Sequence, residues 1–150
     1  MNKSINHKIF FPHSPETVWE YLTNSELMEL WLMKNTFQPI LGSEFQFRTN
    51  PIPGLDFDGI FYCKVLEIQP FQKLSYSWRS GPGGEEITLD SIVVWQLEKV
   101  EKGTQLLLEH TGFAKEENIN FYNGLNQGWV EKLDNIAKLI NIPQHGDTNT

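Results

Sequence analysis

The sequence is short of cysteine, of positive charge and of long apolar runs, and each shortage closes a class of function. Cys63 is the one cysteine of the chain, so no internal disulfide forms and no cysteine cluster exists to hold zinc. Lysine and arginine number 12 against 19 aspartates and glutamates, and the net charge of −7 repels phosphate backbones. Nucleic acid is therefore not an expected partner. No apolar stretch approaches the ~20 residues of a membrane-spanning helix. The N-terminus has no basic segment leading into an apolar one, as a secretory signal would. A cytoplasmic protein without a membrane partner is the expectation. The histidines, at 7, 13, 110 and 145, lack ligand spacing, and no metal or other cofactor is expected. Gly81-Pro82-Gly83-Gly84 runs into Glu85-Glu86 and then a strand pattern, which is not a phosphate cradle. No serine stands in a nucleophile elbow.

Rings are what the chain has in abundance. Aromatic residues make up 13% of it, so the core of a domain this size is built largely from them. The organising stretch is residues 114–142. Its apolar residues fall at Phe121, Leu125, Trp129, Leu133, Ile136 and Ile140, the spacing of one helix face. Asn123, Gln127, Glu131 and Lys138 occupy the other face, and Pro143 ends the helix. At 1.5 Å per residue it spans on the order of 40 Å and needs a broad apolar partner. Gly124 and Gly128 interrupt it, each at roughly 1 kcal/mol relative to alanine. Either a close backbone approach or room for a guest molecule compensates.

The remainder supplies that partner. Residues 5–11 read as a strand. Ser14-Pro15 opens a helix over 15–22, with serine as N-cap and proline at the first position. Thr23 and Glu26 form a capping box, stapled by Leu22 and Leu27, for a second helix carrying Met28 and Trp31. Beyond Asn35 the apolar period falls to two. Strands are expected over 36–41, 44–49, 58–68, 73–79, 87–98 and 104–111, with Pro39 suiting an edge. By alternation Glu67 falls on the Val65 side, unless a bulge near Pro70 turns it to the rim and a salt bridge. Short turns give antiparallel pairing, and one face of the sheet needs the terminal helix to cover it. The fold class is α+β: a helix-grip, with a curved antiparallel sheet of six or seven strands wrapped around a long C-terminal helix. Two short helices follow the first strand.

Several stretches resemble a known family. Pro12-His13-Ser14-Pro15-Glu16-Thr17-Val18-Trp19 resembles the opening strand-to-helix step of the START-like (SRPBCC) superfamily, and residues 27–31 resemble its next helix. Val65-Leu66-Glu67-Ile68-Gln69-Pro70 with Leu74-Ser75-Tyr76-Ser77-Trp78 resembles the central hairpin of one branch. Leu106-Leu107-Leu108-Glu109-His110-Thr111-Gly112-Phe113, followed by Gly128-Trp129, resembles its ending. That branch is related to the C-terminal domain of the heat-shock-protein-90 ATPase activator. The resemblance implies one domain over residues 1–143, and the polar residues 144–150 read as a flexible tail. It implies a cavity between the long helix and the sheet, holding a hydrophobic or aromatic small molecule in a carrier, sensor or sequestration role. Two alternatives accompany it: an interaction protein acting on the chaperone, and a polyketide-cyclase-like enzyme using the same cavity. Monomer and homodimer both stay open.

The candidate ligand-binding residues are Trp31, Phe47, Phe61, Tyr76, Trp78, Trp95, His110, Leu125 and Trp129. An enclosed apolar pocket with a few polar groups is the usual form of a small-molecule site. Taken singly, each of these rings reads first as core filling; taken together, with the cavity that the resemblance implies, they read as a pocket lining. Ser91, Arg48 and Arg79 add polar groups, and no catalytic residue is assigned. His110 is either ligand-facing, as an acid or base, or a buried imidazole satisfied by its neighbours. Cys63 reads as an inert core thiol. The proline-bracketed loop 50–54 reads as a lip.

Overall fold

The computed structural model describes residues 4–51, 57–83, 86–113 and 119–141. Strand β1 (Ser4–Phe11) leads into helices α1 (Pro15–Thr23) and α2 (Ser25–Trp31). As expected, the Ser14 hydroxyl accepts from the Thr17 N–H, with Pro15 at the first position. The second helix starts differently from expectation. Its cap is Asn24, whose Oδ1 accepts from the Leu27 N–H at 3.1 Å. Thr23 belongs to α1, and its hydroxyl donates back to the Trp19 carbonyl at 2.8 Å. A hydroxyl used in its own helix does not cap the next, so the capping box on Thr23 does not form. Asn24→Ala is expected to lower stability by about 1 kcal/mol in urea denaturation. Thr23→Ala is expected to lower it by well under that, and the reverse ranking would contradict the assignment.

The sheet continues with β2 (Lys34–Asn35), β3 (Glu44–Arg48), β4 (Ile60–Gln69), β5 (Lys73–Ser80), β6 (Leu89–Val100) and β7 (Gly103–Thr111). The strand expected over 36–41 is absent. Its place at the edge is taken by Lys34 and Asn35, opposite Arg48 and Phe47. At Thr36 a side chain replaces the ladder: its N–H donates to the Gln46 carbonyl, while its hydroxyl accepts from the Gln46 N–H. The order is β1-β7-β6-β5-β4-β3-β2, every pair antiparallel, and the sheet is curled. Helix α3 (Ile119–Ile140) closes it. This is the helix-grip expected from the sequence.

Alternation holds where the sheet is regular. Phe45 and Phe47, Phe61 and Cys63, Tyr76 and Trp78, Val93 and Trp95, and Leu106 and Leu108 are all buried. It fails once, by a bulge: Val65 pairs with Tyr76 and Glu67 with Ser75, leaving Leu66 as the extra residue. Glu67 thereby reaches the rim and meets Lys73 at 3.2 Å. On α3, Trp129, Leu133, Ile136 and Ile140 are buried as their spacing requires. The Phe121 side chain, the first residues of the expected helix, most of the loop 50–54 and the tail 144–150 lie outside the described residues. Gly112 is the pivot between sheet and helix. Its φ is +119°, and a Cβ there would lie 2.7 Å from the Asp90 carbonyl oxygen. Glycine alone lets the chain leave β7 pressed against β6 and drop Phe113 into the core. Among the described residues, no helix is long and apolar enough to cross a membrane.

Candidate functional site

The inward rings form one connected cluster under α3. Trp78 lies at its centre, 4.4 Å from Phe61, 5.2 Å from Phe47 and 5.4 Å from Trp129 between ring centroids. Trp129 reaches on to Trp95 at 5.5 Å, and Trp95 to Trp31 at 6.0 Å, both edge to face. Tyr76 touches Phe45 and Phe47. Eight of the nine candidates thus share one body of packed rings, and Leu125 borders it from α3. Such contacts add about 0.5–1.5 kcal/mol each beyond area burial, so most of this cluster is core. Tyr76 accepts from Trp95 Nε1 at 2.9 Å, and burial pushes its phenol well above the usual range. Trp31 Nε1 donates to the Tyr21 carbonyl at 2.7 Å.

His110 is wholly buried, and its hydrogen bonds fix its tautomer. The Trp129 indole can only donate, so His110 Nδ1, 3.0 Å away, is the acceptor and carries no proton. The proton is then on Nε2, which donates to the Ser91 hydroxyl at 2.8 Å. The Ser91 hydroxyl in turn donates to the Trp78 carbonyl at 2.6 Å. Helix and sheet are joined by a chain of three satisfied hydrogen bonds through a neutral imidazole. Burial holds the His110 pKa down to about 3. With both nitrogens engaged, this histidine has no free position for proton transfer to a substrate.

An opening between α3 and the sheet has a volume of about 60 Å³. Leu32, Met33, Trp78, Leu125, Gly128, Trp129 and Lys132 line it. Gly128 creates it: a Cβ at this position meets nothing within 4 Å. Of the two compensations expected for a glycine here, the structure has room rather than close approach. Gly128→Ala is therefore expected to stabilise the protein by up to about 1 kcal/mol, read as a raised urea midpoint. A lowered midpoint would mean the space is not open.

The opening lies on one side of the helix. On the other side α3 is hydrogen-bonded to β1 and the residues after it. Tyr122 donates to the Ser4 carbonyl at 3.2 Å, Asn126 meets His7 at 2.9 Å, and Asn141 meets His13 at 2.9 Å. Below the opening, Asn135 donates to the Trp31 carbonyl at 3.4 Å. Between Tyr122 and Gly128 no side chain of α3 is fully buried, whereas the half from Trp129 onward is anchored.

Two larger hollows, of about 420 and 280 Å³, lie on the opposite face of the sheet. They are shallow spaces among Glu44, Lys64, Arg79 and Asp90, and among Lys8, Gln96 and Glu109. Arg48 and Arg79 belong to that outer face: Arg48 donates to Gln46, and Arg79 pairs with Asp90 at 3.3 Å. Neither reaches the interior. Cys63 is buried, and burial pushes its thiol up. No group of three or more metal-ligating side chains occurs among the described residues. Sequence reasoning missed Leu32, Met33 and Lys132. The first two follow the end of α2, where helical periodicity no longer applies. Ser80, buried on the same face of β5 as Trp78, was legible in the alternation Leu74, Tyr76, Trp78.

Comparison with known proteins places this architecture. None of the curated proteins matches the chain. Among solved structures, protein MLL2253 from Mesorhizobium loti is 29% identical, with a TM-score of 0.82 over 93% of this chain and 97% of that one. The Aha1 dimer from Colwellia psychrerythraea is 23% identical, with a TM-score of 0.75 over 95% and 99%. CalU16 from Micromonospora echinospora is 21% identical, with a TM-score of 0.72 over 93% and 77%. The latter two share the fold. The model of the family described as activator of Hsp90 ATPase homolog 1-like protein matches residues 12–141. The chain therefore belongs to the family of activator of Hsp90 ATPase homolog 1-like proteins, within the START-like superfamily.

Proposed function

We propose that the protein binds an apolar, ring-bearing small molecule between α3 and the sheet, as a carrier, sensor or sequestering protein. The observation that carries this reading is the opening beside Trp78, held free of side chains by Gly128. Its lining is apolar apart from Lys132, so apolar burial at ~25 cal/mol per Å² drives binding. At about 60 Å³ it is well below the ~300–1,000 Å³ of a formed ligand site, so a guest enters only as the wall moves. The first half of α3 is the part suited to move. It holds two glycines, buries none of the side chains described from Tyr122 to Gly128 fully, and reaches the rest of the fold through hydrogen bonds to β1 and the partly buried Tyr122 and Leu125.

An enzyme of cyclase type receives less support. His110 has both nitrogens committed, and Tyr76 is a buried phenol pushed away from ionisation. Family membership supports a second reading, action on an Hsp90-type chaperone. An unchanged ATPase rate on mixing purified chaperone with this protein would remove it.

The test of the binding reading is a panel of apolar aromatic compounds titrated against tryptophan fluorescence. Saturable binding is expected for the natural chain, with at least a tenfold loss in Gly128→Leu, whose side chain fills the opening. Binding by no compound, or equal binding by the folded variant, would end the proposal.

A further inference from the structure

Two buried side-chain polar atoms lack a hydrogen-bond partner among the described residues: Trp78 Nε1 and Ser80 Oγ. They lie on the same inward face of β5, two residues apart. The neighbouring buried indoles are all satisfied, Trp31 by Tyr21, Trp95 by Tyr76 and Trp129 by His110. Trp78 is equally buried, at 1% exposure, and forms part of the wall of the opening. Native interiors rarely leave such a donor bare, because its desolvation is not returned. The ring is also held in place. Phe47, Phe61 and Trp129 surround it, and the Ser91 hydroxyl pins its own carbonyl.

We infer that the guest carries an uncharged oxygen acceptor, a ketone, ether or phenol, which takes the hydrogen bond of Trp78 Nε1 beneath α3. This rests on the binding reading above and narrows its ligand class. The acceptor is uncharged because of what surrounds the donor. Lys132, the one charged residue lining the opening, can pair with a charged group elsewhere on the guest, but the groups packed against the Trp78 ring itself are Phe47, Phe61 and Trp129, which offer an ion no partner. A carboxylate beside Trp78 would lose its hydration without replacement. A ketone surrenders far less and satisfies a donor that is otherwise unpaired.

Indane and 1-indanone share one bicyclic frame and differ by the ketone. Each is titrated into the full chain labelled with nitrogen-15, with the indole N–H signals assigned through the backbone. The ketone is expected to bind about tenfold tighter, one hydrogen bond to a buried donor. The Trp78 indole signal moves with it, and Trp78→Phe erases the preference. Equal affinity for both compounds overturns the inference and leaves the binding reading intact. Binding by neither removes both. Should Trp78→Phe fail to fold, the unaltered chain still decides: bound 1-indanone with an unmoved Trp78 signal overturns the inference.

Discussion

Trp129→Ala is expected to lower stability by about 3–5 kcal/mol, at the upper end of large-to-small core changes. The indole is 2% exposed and meets Trp78, Trp95 and His110, so its removal empties the junction between helix and sheet. It also strips His110 Nδ1 of its only donor, leaving a buried acceptor unpaired. The loss should be read by urea denaturation at neutral pH, with near-ultraviolet circular dichroism to follow the rings. Trp129→Phe keeps most of the ring volume and loses the donor, so it should fall between the natural chain and alanine. A cost below about 1 kcal/mol for alanine would mean that α3 docks by other contacts.

Acid is expected to destabilise the fold through His110 over a defined window. In the unfolded chain this histidine takes up its proton near pH 6.5. In the folded protein burial delays that until about 3. Between those values the unfolded state holds the extra proton, so stability rises with pH at up to about 1.4 kcal/mol per unit. The contribution is fully present above pH 6.5 and is lost as pH falls toward 3, on the order of 4–5 kcal/mol in all. Comparing His110→Gln with the natural chain across pH 7 to 3 isolates it, since the carboxylates and other histidines are common to both. The difference between the two curves should shrink as pH falls. Parallel curves would mean that His110 is open to protons in the fold.

Much of the site was legible because burial leaves a periodic trace. The spacing Trp129, Leu133, Ile136, Ile140 named the docking face of α3, and period-two alternation named the inward rings. Gly128 announced the opening, since a helix keeps a glycine only for a reason. The misreadings share a cause. Thr23 and Asn24 are both good caps one residue apart, and the end of α1 decided between them. Residues 36–41 alternate like a strand, but a strand needs a partner in register, and β3 found it at Lys34 and Asn35. Glu67 does reach the rim and a salt bridge, as one of its two readings had it, and only the bulge lies elsewhere, at Leu66 rather than near Pro70.

The sequence by itself determined the layers of this protein: which elements form, which faces turn inward, and that one long helix must cover a curled sheet. Those are local properties, set by residue type and period within a few positions. Tertiary structure alone decided the fate of individual polar atoms. Ser91, His110 and Trp129 lie 19 residues apart in sequence at each step and meet only because β6, β7 and α3 converge. That convergence committed both nitrogens of His110, left Trp78 Nε1 without a partner among the described residues, and set a narrow opening beside the Trp78 ring. Hydrogen bonds are directional and act over about 3 Å, so no pattern along the chain foretells which pairs close.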